Sequence, residues 1–293
     1  MRGVLNVNKP TGITSYDVIR RIKPMTGETK IGHAGTLDPL AQGVLLILLG
    51  EATKVAELLQ NLEKEYQAQV RLGVRTDTDD IAGRVIEERP APAISEQQLT
   101  DLLQQFVGPI VQVPPVYSAL KVGGVPAYDL ARQGRNPRLP ARTVLIKQIA
   151  LLSSALPVFE FQAVVSKGTY IRALARDIGE RLGCGATLQA LTRTRIGGFR
   201  VENALALDRL DREALAAGLV PINEALAFMP LIYVKPEAVA RLRNGQVLHA
   251  EDLVEAPPET GLVRVSDPDG KILVISNCIA GRLKPVRGVY ADS

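Results

Sequence analysis

The 293-residue sequence predicts a mixed α/β fold of the α+β class, in about two domains, from three observations. Leu99, Leu102, Leu103 and Phe106 recur at helical spacing behind a capping box of Ser95 and Gln98. Tyr66, Ala68, Val70 and Leu72 alternate with polar residues, which sets an apolar row on one face of a strand. From about Pro230 the register changes: a short helix begun by Lys235-Pro236 is followed by LVRVS, the turn DPDG and KILVIS, a β-hairpin. The boundary expected from this change separates residues 1–229 from residues 230–293.

Taken in order, Leu5 to Asn8 reads as a short strand running into the turn Lys9-Pro10-Thr11-Gly12. Thr14 or Ser15 can cap a helix to about Lys23, with Val18, Ile19 and Ile22 inward. In GHAGTLDPLAQG, Gly32 to Gly43, Asp38 precedes a proline, which disfavours the α region for the aspartate and itself suits the first helical position. The carboxylate is therefore expected on an extended loop ahead of a short helical turn. Gly32 and Gly35 permit conformations or close approaches that a Cβ blocks. VLLILLG, Val44 to Gly50, has the pattern of a strand buried on both faces. A helix from about Thr53 groups Val55, Leu58, Leu59 and Leu62.

RTDTDDIAG, Arg75 to Gly83, gathers Asp77, Asp79 and Asp80; without a distal bidentate glutamate it reads as a polar turn rather than a cation loop. Gly108-Pro109 ends the helix that Ser95 caps. Residues from about 113 to 142 are rich in Gly, Pro and Arg and have little periodicity, as functional or disordered insertions do. Two strands, Thr143 to Leu152 and Val158 to Val165, lead into SKGTYIRALARDIGERLGCG. There Ile171, Leu174, Ala175, Ile178 and Leu182 form a buried helical face, Gly183 is the stop, and Arg176 can pair with Glu180 at i+4. Helices over Asp208 to Ala217 and Pro221 to Ala227, and a last strand near Val286 to Tyr290, complete the expectation.

Hydrophobic residues make up 46% of the chain and charged residues 23%, the balance of a globular protein. No apolar run approaches the ~20 residues of a membrane span, and MRGVLNVNKP lacks an apolar signal core, so a cytoplasmic location is expected. Cys184, Cys278, His33 and His249 are not at metal-ligand spacing, which argues against a zinc site or a disulfide framework. The net charge is +4. Residues 231–293 carry eight basic and eight acidic side chains, so the surplus lies before them. Between Leu130 and Phe159 there is no acid, but there are Arg132, Arg135, Arg138, Arg142 and Lys147, a candidate phosphate-contacting surface. Tyr117 and Tyr128 add the aromatic faces that a folded RNA surface needs.

Taken alone, Asp38 reads as a cap or turn aspartate, Tyr66 as core and Arg172 as a surface arginine. The ordered Gly, His, Thr, Asp and Pro of GHAGTLDPLAQG, however, resemble the catalytic motif of the TruB family of tRNA pseudouridine synthases, in which the GTLDP aspartate is the nucleophile. KEYQAQVRLG, PPVYSALK, AYDLARQG and KGTYIR extend the resemblance through nearly all of residues 3 to 200. It implies a catalytic domain with an extended, largely antiparallel sheet flanked by helices, an RNA-gripping insertion at about 113–142, and a small β-rich PUA-like RNA-binding domain at 230–293. The C-terminal match is looser, and an OB-like or SH3-like barrel also fits the strand pattern there.

By the same resemblance Asp38 is the catalytic carboxylate, Arg172 its ion-pair partner and Tyr66 the active-site tyrosine that stacks on the uracil. Tyr170 and Leu191 line the pocket, and Lys9 and Pro10 lie near it. His33, with a planar ring beside the loop, suits stacking near an extruded base; its plainer reading is a satisfied loop histidine. Lys121, Arg132, Arg135, Arg138, Arg142 and Arg193 are the expected RNA contacts. The implied reaction isomerises uridine at position 55, in the TΨC stem-loop of tRNA. It uses no cofactor and no metal, and the enzyme is expected to act as a monomer without an obligate protein partner. Attack on the base, attack on the ribose carbon and a glycal route all use such a carboxylate. A noncatalytic RNA-folding factor and a metal-dependent phosphodiesterase built on Asp77, Asp79 and Asp80 are the competing readings.

Overall fold

The structure, a computed structural model, describes residues 1–135 and 137–289. Strand β1 (Gly3–Lys9) enters helix α1 (Ser15–Thr26), where Thr14 and Asp17 make a reciprocal capping box and Gly27 closes the far end in the left-handed region. Strands β2 (Ile31–Ala34) and β3 (Gln42–Leu49) bracket the Asp38 loop. β2, which includes Gly32 and His33, was not anticipated: this half of the glycine-rich stretch pairs antiparallel with β3. A 3-10 turn and α2 (Ala56–Gln60) follow, then β4 (Lys64–Leu72), the side hairpin β5 (Val74–Thr76) and β6 (Val85–Glu88), and α3 (Glu96–Gln104) behind its Ser95–Gln98 capping box.

Gly108-Pro109 does not stop that helix, which already ends at Gln104 with Gln105 as its cap; it opens β7 (Gly108–Gln112), an edge strand where a proline's missing N–H is tolerated. The insertion is also less irregular than its composition suggests. It holds a small hairpin, β8 (Lys121–Val122) with β9 (Val125–Pro126), and α4 (Ala127–Arg132). Strands β10 (Arg142–Ala155) and β11 (Val158–Val165), helix α5 (Ile171–Arg181) and strand β12 (Ala186–Ile196) come next. Short elements β13 (Phe199–Arg200), β14 (Leu205–Ala206), α6 (Arg212–Ala217), β15 (Leu219–Val220) and α7 (Ile222–Ala225) lead to the C-terminal unit.

Among the described residues, one sheet runs β14-β1-β3-β12-β4-β11-β10-β7, with β2, β13 and β15 alongside. Its pairings are antiparallel except β1 with β14 and β3 with β12. From Val44 to Leu49, β3 is apolar and buried on both faces. Leu45, Ile47 and Leu49 join the core that holds α1, α3 and α5, while Val44, Leu46 and Leu48 join a second core with Val55, Leu59, Ile222 and Leu226. The alternating row of β4 enters the first core.

The C-terminal unit is strand-rich: β16 (Leu231–Tyr233), α8 (Val239–Arg243), β17 (Thr260–Ser266), β18 (Ile272–Ile279) and β19 (Arg282–Gly288), in sheet order β16-β17-β18-β19. It has its own cluster around Val234, Leu242, Val263 and Leu283, while Ile272, Ile275 and Val289 pack into the second core of the main sheet. The strand expected near Val286 to Tyr290 is β19, which begins earlier; Tyr290 lies outside the described residues. Among the described residues, no helix is long and apolar enough to cross a membrane.

The parallel contact between β3 and β12 sets Gly43 opposite Arg193, and a Cβ at Gly43 would lie 2.2 Å from the Arg193 carbonyl oxygen, with φ at +105°. Gly43→Ala is therefore expected to cost on the order of 2–4 kcal/mol in chemical denaturation. Gly198→Ala, with open space around it, should stay within about 0.5 kcal/mol of the parent. Equal stabilities would contradict this account of the sheet's centre.

Candidate active site

The loop between β2 and β3 is fastened from three sides. Ser15 at the start of α1 exchanges hydrogen bonds with Leu37, its hydroxyl donating to the Leu37 carbonyl at 3.1 Å and accepting from the Leu37 N–H at 2.9 Å. Gly12 N–H donates to the Pro39 carbonyl at 2.7 Å, joining the KPTG turn to the residue after Asp38. From β12, Arg193 donates to the carbonyls of Gly35 (2.9 Å), Thr36 (3.4 Å) and Val44 (2.8 Å). Gly35 adopts φ +87° under that guanidinium. Ala41 N–H donates to the Asp38 carbonyl at 3.0 Å, closing a turn over Pro39 and Leu40 directly after the aspartate.

Asp38 then meets Arg172, at the first turn of α5. Arg172 Nε donates to Asp38 Oδ2 at 2.9 Å, Nη1 to the Thr78 carbonyl at 2.9 Å, and Nη2 to the Tyr117 carbonyl at 2.8 Å. Arg172 is 3% exposed, so its position is fixed by these acceptors, whereas the Asp38 side chain remains 39% exposed toward the cavity. A planar fork satisfied on several edges leaves little rotational freedom to the carboxylate it holds. Asp80 Oδ2 lies 3.7 Å from the same Nε, and its other oxygen accepts from the Thr78 hydroxyl and the Ala82 N–H.

One helical turn on, Arg176 does not pair with Glu180 as expected. It donates to Asp79 at 2.9 Å, to Asp177 and to the Val113 carbonyl. Burial pushes the Asp79 carboxyl above its ordinary range, opposed by Arg176 and Arg172. The polar turn 77–80 thus clamps Arg172 and Arg176 of α5 and is itself bonded to Leu188 of β12. Its three aspartates face different partners, Asp77 capping the Arg84 N–H. Among the described residues, no group of three His, Cys, Asp or Glu side chains is arranged to hold a metal ion.

A cavity of about 600 Å³ opens over this pair, lined by Asp38, Tyr66, Ser118, Tyr170, Arg172 and Leu191. Sites for small ligands are typically ~300–1,000 Å³. Tyr66 and Leu191 come from neighbouring strands, β4 and β12, whose register sets Leu191 opposite Ala68 and Arg193 opposite Tyr66. Tyr170 is held by the buried Gln112, which accepts from its N–H at 2.8 Å and donates to its carbonyl at 3.1 Å. The Arg142 guanidinium lies 5.7 Å from the centre of the Tyr170 ring, a cation-π contact at the rim. A larger furrow of about 1060 Å³ sits at Leu72, the opposite end of β4 from Tyr66, and is lined by the proline-rich segment 90–94.

Lys9 is fully buried and donates to the Pro10 and Ile13 carbonyls, so it braces the KPTG turn. Pro10 is exposed on that turn. His33 sits on β2 opposite Ile47, with its pKa lowered by burial and by Arg193, and its Nδ1 has no partner among the described residues. Lys121, Arg132, Arg135 and Arg138 are exposed on the insertion. Arg193, expected among the RNA contacts, is placed differently: 1% exposed, it spends its donors on loop carbonyls inside the fold. Sequence reading missed Asp80, Gln112 and Ser15 as supports of the site. The available signal was the three acids of RTDTDD and two arginines four residues apart on α5, opposite charges with no local partner in the sequence.

These features define an α+β enzyme in which an arginine-oriented carboxylate faces a small-ligand cavity under a cationic rim. The description "TruB family pseudouridylate synthase (N terminal domain)" matches residues 23–171, and "tRNA pseudouridylate synthase B C-terminal domain" matches residues 172–227. A tRNA pseudouridine synthase B of Burkholderia mallei (strain NCTC 10247) is 43% identical over 296 residues, covering 99% of this chain and 98% of its own length. That of Clostridium tetani (strain Massachusetts / E88) is 40% identical over 269 residues, covering 92% of this chain and 93% of its own. Among solved structures, a Cbf5-Nop10-Gar1 complex aligns with a TM-score of 0.77 at 26% identity, over 98% of this chain and 85% of the other. An H/ACA RNP bound to a substrate RNA containing 2'-deoxyuridine aligns with a TM-score of 0.76 at 25% identity, over 99% and 85%. The chain belongs to the TruB family of pseudouridylate synthases. It is an enzyme with tRNA pseudouridine synthase activity.

Burial lowers Lys9 from 10.5 to about 8, with Asp38 opposing and Arg193 adding to the shift. The unfolded chain therefore holds this proton up to about pH 10.5 while the folded chain releases it near 8, and stability from this group rises with pH across that window. Lys9→Met should flatten the rise in urea-unfolding free energy between pH 8 and 10 relative to the parent. Parallel pH dependences would contradict the burial of an ionisable Lys9.

Proposed function

We propose that this chain converts uridine to pseudouridine at position 55, in the TΨC stem-loop of tRNA, with Asp38 as the catalytic carboxylate. The observation that carries this reading is the Arg172–Asp38 pair at the floor of the cavity that Tyr66, Tyr170 and Leu191 line. The isomerisation breaks the N1–C1′ bond, turns the detached uracil and joins C1′ to C5; C5 loses a proton and N1 gains one. Atoms and electrons balance within substrate and enzyme, so the reaction calls for no external oxidant, reductant or group donor.

A stacked base cannot enter such a cavity, so the uridine swings out of its loop at a cost of a few kcal/mol. Asp38, paired with a guanidinium and aimed by it, supplies the nucleophile that divides the exchange into easier steps. Tyr66 stacks on the uracil and receives the C5 proton directly or through water, and Tyr170 and Leu191 confine the ring. Lys9 and Pro10 support the catalytic loop, and His33 contacts RNA beside the extruded base. Lys121, Arg132, Arg135 and Arg138 on the insertion, with Arg142 at the rim, face the phosphates of the folded stem-loop. The strand-rich unit at 230–293 serves as a PUA-like RNA-binding domain behind the catalytic domain 1–229. We place the enzyme in the cytoplasm, acting as a single chain without cofactor, metal or obligate protein partner.

Asp38→Asn should reduce tritium release from C5-labelled uridine tRNA to background while tRNA binding stays within about threefold of the parent. EDTA should leave the parent's turnover unchanged. Retained tritium release in Asp38→Asn would remove the aspartate from the chemistry, and product mapped to another loop would remove the TΨC assignment.

A further inference from the structure

Arg176 follows Arg172 by one turn of α5, with its side chain 17% exposed, and its guanidinium reaches two segments distant in the chain. Nη1 donates to Asp79 Oδ2 at 2.9 Å and Nη2 to the Val113 carbonyl at 2.8 Å, while Nε and Nη2 also meet Asp177 Oδ1 on the same helix, at 3.1 and 2.9 Å. These are the segments from which Arg172 draws its backbone acceptors. Asp79 directly follows Thr78, whose carbonyl accepts from Arg172 Nη1, and Val113 lies four residues before Tyr117, whose carbonyl accepts from Nη2. Val113 also follows Gln112, the side chain that holds Tyr170. Asp79 adopts φ +61°, a left-handed conformation uncommon for a residue with a Cβ. It is held there by Arg176 on its carboxylate and by the Leu188 N–H, which donates to its carbonyl at 3.1 Å.

We infer that Arg176 is a positioning residue for the reaction: by fastening Asp79 and Val113 to α5 it fixes the Thr78 and Tyr117 carbonyls that orient Arg172, and through Arg172 it aims Asp38. This inference rests on reading the Arg172–Asp38 pair as the heart of the uridine site. A planar guanidinium is oriented only as well as its acceptors are fixed. Two of the acceptors of Arg172 are backbone carbonyls outside regular structure, Thr78 in a turn and Tyr117 in the insertion. A carbonyl there moves with the chain that bears it. Residues four apart lie on one helix face, so the two guanidiniums grip the same pair of segments side by side. Leu188 also holds the turn, through the Asp79 carbonyl and the Ile81 N–H, so loss of Arg176 loosens the acceptors without releasing them. Misplacement of reacting groups by about 1 Å costs on the order of 100-fold in rate, and a partial loosening costs correspondingly less.

The test uses the full chain and an unmodified tRNA transcript. Single-turnover rate constants at saturating enzyme, tRNA affinities and urea stabilities are measured for the parent, Arg176→Met, Asp79→Ala and Asp79→Asn, and for Arg172→Lys with and without Arg176→Met. We expect Arg176→Met to react about tenfold more slowly than the parent with affinity within about twofold. Asp79→Ala should slow the reaction similarly, whereas Asp79→Asn, which keeps an acceptor oxygen and tolerates the left-handed backbone, should recover most of the rate. In Arg172→Lys, adding Arg176→Met should cost less than about threefold more, because the residue it acts through has already lost its fork. A merely structural brace would lower urea stability and the fraction of active enzyme but leave the rate constant of the folded molecules unchanged. A parental rate constant in Arg176→Met therefore overturns the inference, as does a tenfold loss of undiminished size in the Arg172→Lys background or a loss confined to affinity. If Arg176→Met does not fold, the two Asp79 variants decide: parental rate constants in both, or equal losses in both, overturn it. A parent that forms no pseudouridine removes the reading of the site and this inference with it, whereas a reactive parent matched by Arg176→Met removes the inference alone.

Discussion

A buried arginine must find acceptors for its donors, and where Arg172 finds them decides the shape of this candidate site. Its guanidinium ties the first turn of α5 to the polar turn after β5, to the start of the insertion and to the Asp38 loop. Four segments far apart in the chain are thereby fixed around one plane. Removing a partner from such an arrangement strands a buried charge, so the constraint is strict in both directions. Only Asp38 among the partners keeps a side turned to the cavity, which makes the same interaction both the fastening and the aim of the carboxylate.

Arg193 does for the loop's backbone what Arg172 does for its side chain. With its backbone packed against Gly43 of β3, it holds three carbonyls around Asp38 and leaves the loop little room to sag. The sheet makes both possible. β12 lies between β3 and β4, so one strand brings Leu191 to the cavity wall and Arg193 beneath the loop. The strongly buried β3 supplies the rigid floor on which this rests. The geometry of the candidate site is carried by regular structure, with loops pinned to it at their midpoints.

Much of this was legible in the sequence, for identifiable reasons. The capping box at Ser95, the helix cap at Thr14, the alternating row of β4 and the doubly apolar β3 are local patterns, and each formed where expected; that Thr14 forms a full box with Asp17 was added by the structure. The Asp38 loop turns directly after the aspartate, at Pro39 and Leu40, though as a single turn and not as a helical segment. What escaped was nonlocal. Whether Arg176 pairs with Glu180 on its own helix or with Asp79 across the fold depends on a contact of 97 residues' separation that periodicity does not encode. Arg193 looked like an RNA contact because charge was read as exposure, and its burial follows from the carbonyls of a loop 158 residues away. β2 escaped because glycine and histidine signal loop, while its pairing is imposed by the exposed edge of β3.

The most direct test of the arginine's role is the single-turnover rate of pseudouridine formation by Arg172→Lys on an unmodified tRNA transcript, with tRNA affinity measured in parallel. A lysine keeps the charge but offers a point in place of a planar fork, so it cannot hold Asp38 and the Thr78 and Tyr117 carbonyls together. A fall of about 100-fold or more in rate, at near-parental affinity, is the predicted result. A rate within about threefold of the parent would show that charge alone suffices and that the fork does not aim the carboxylate.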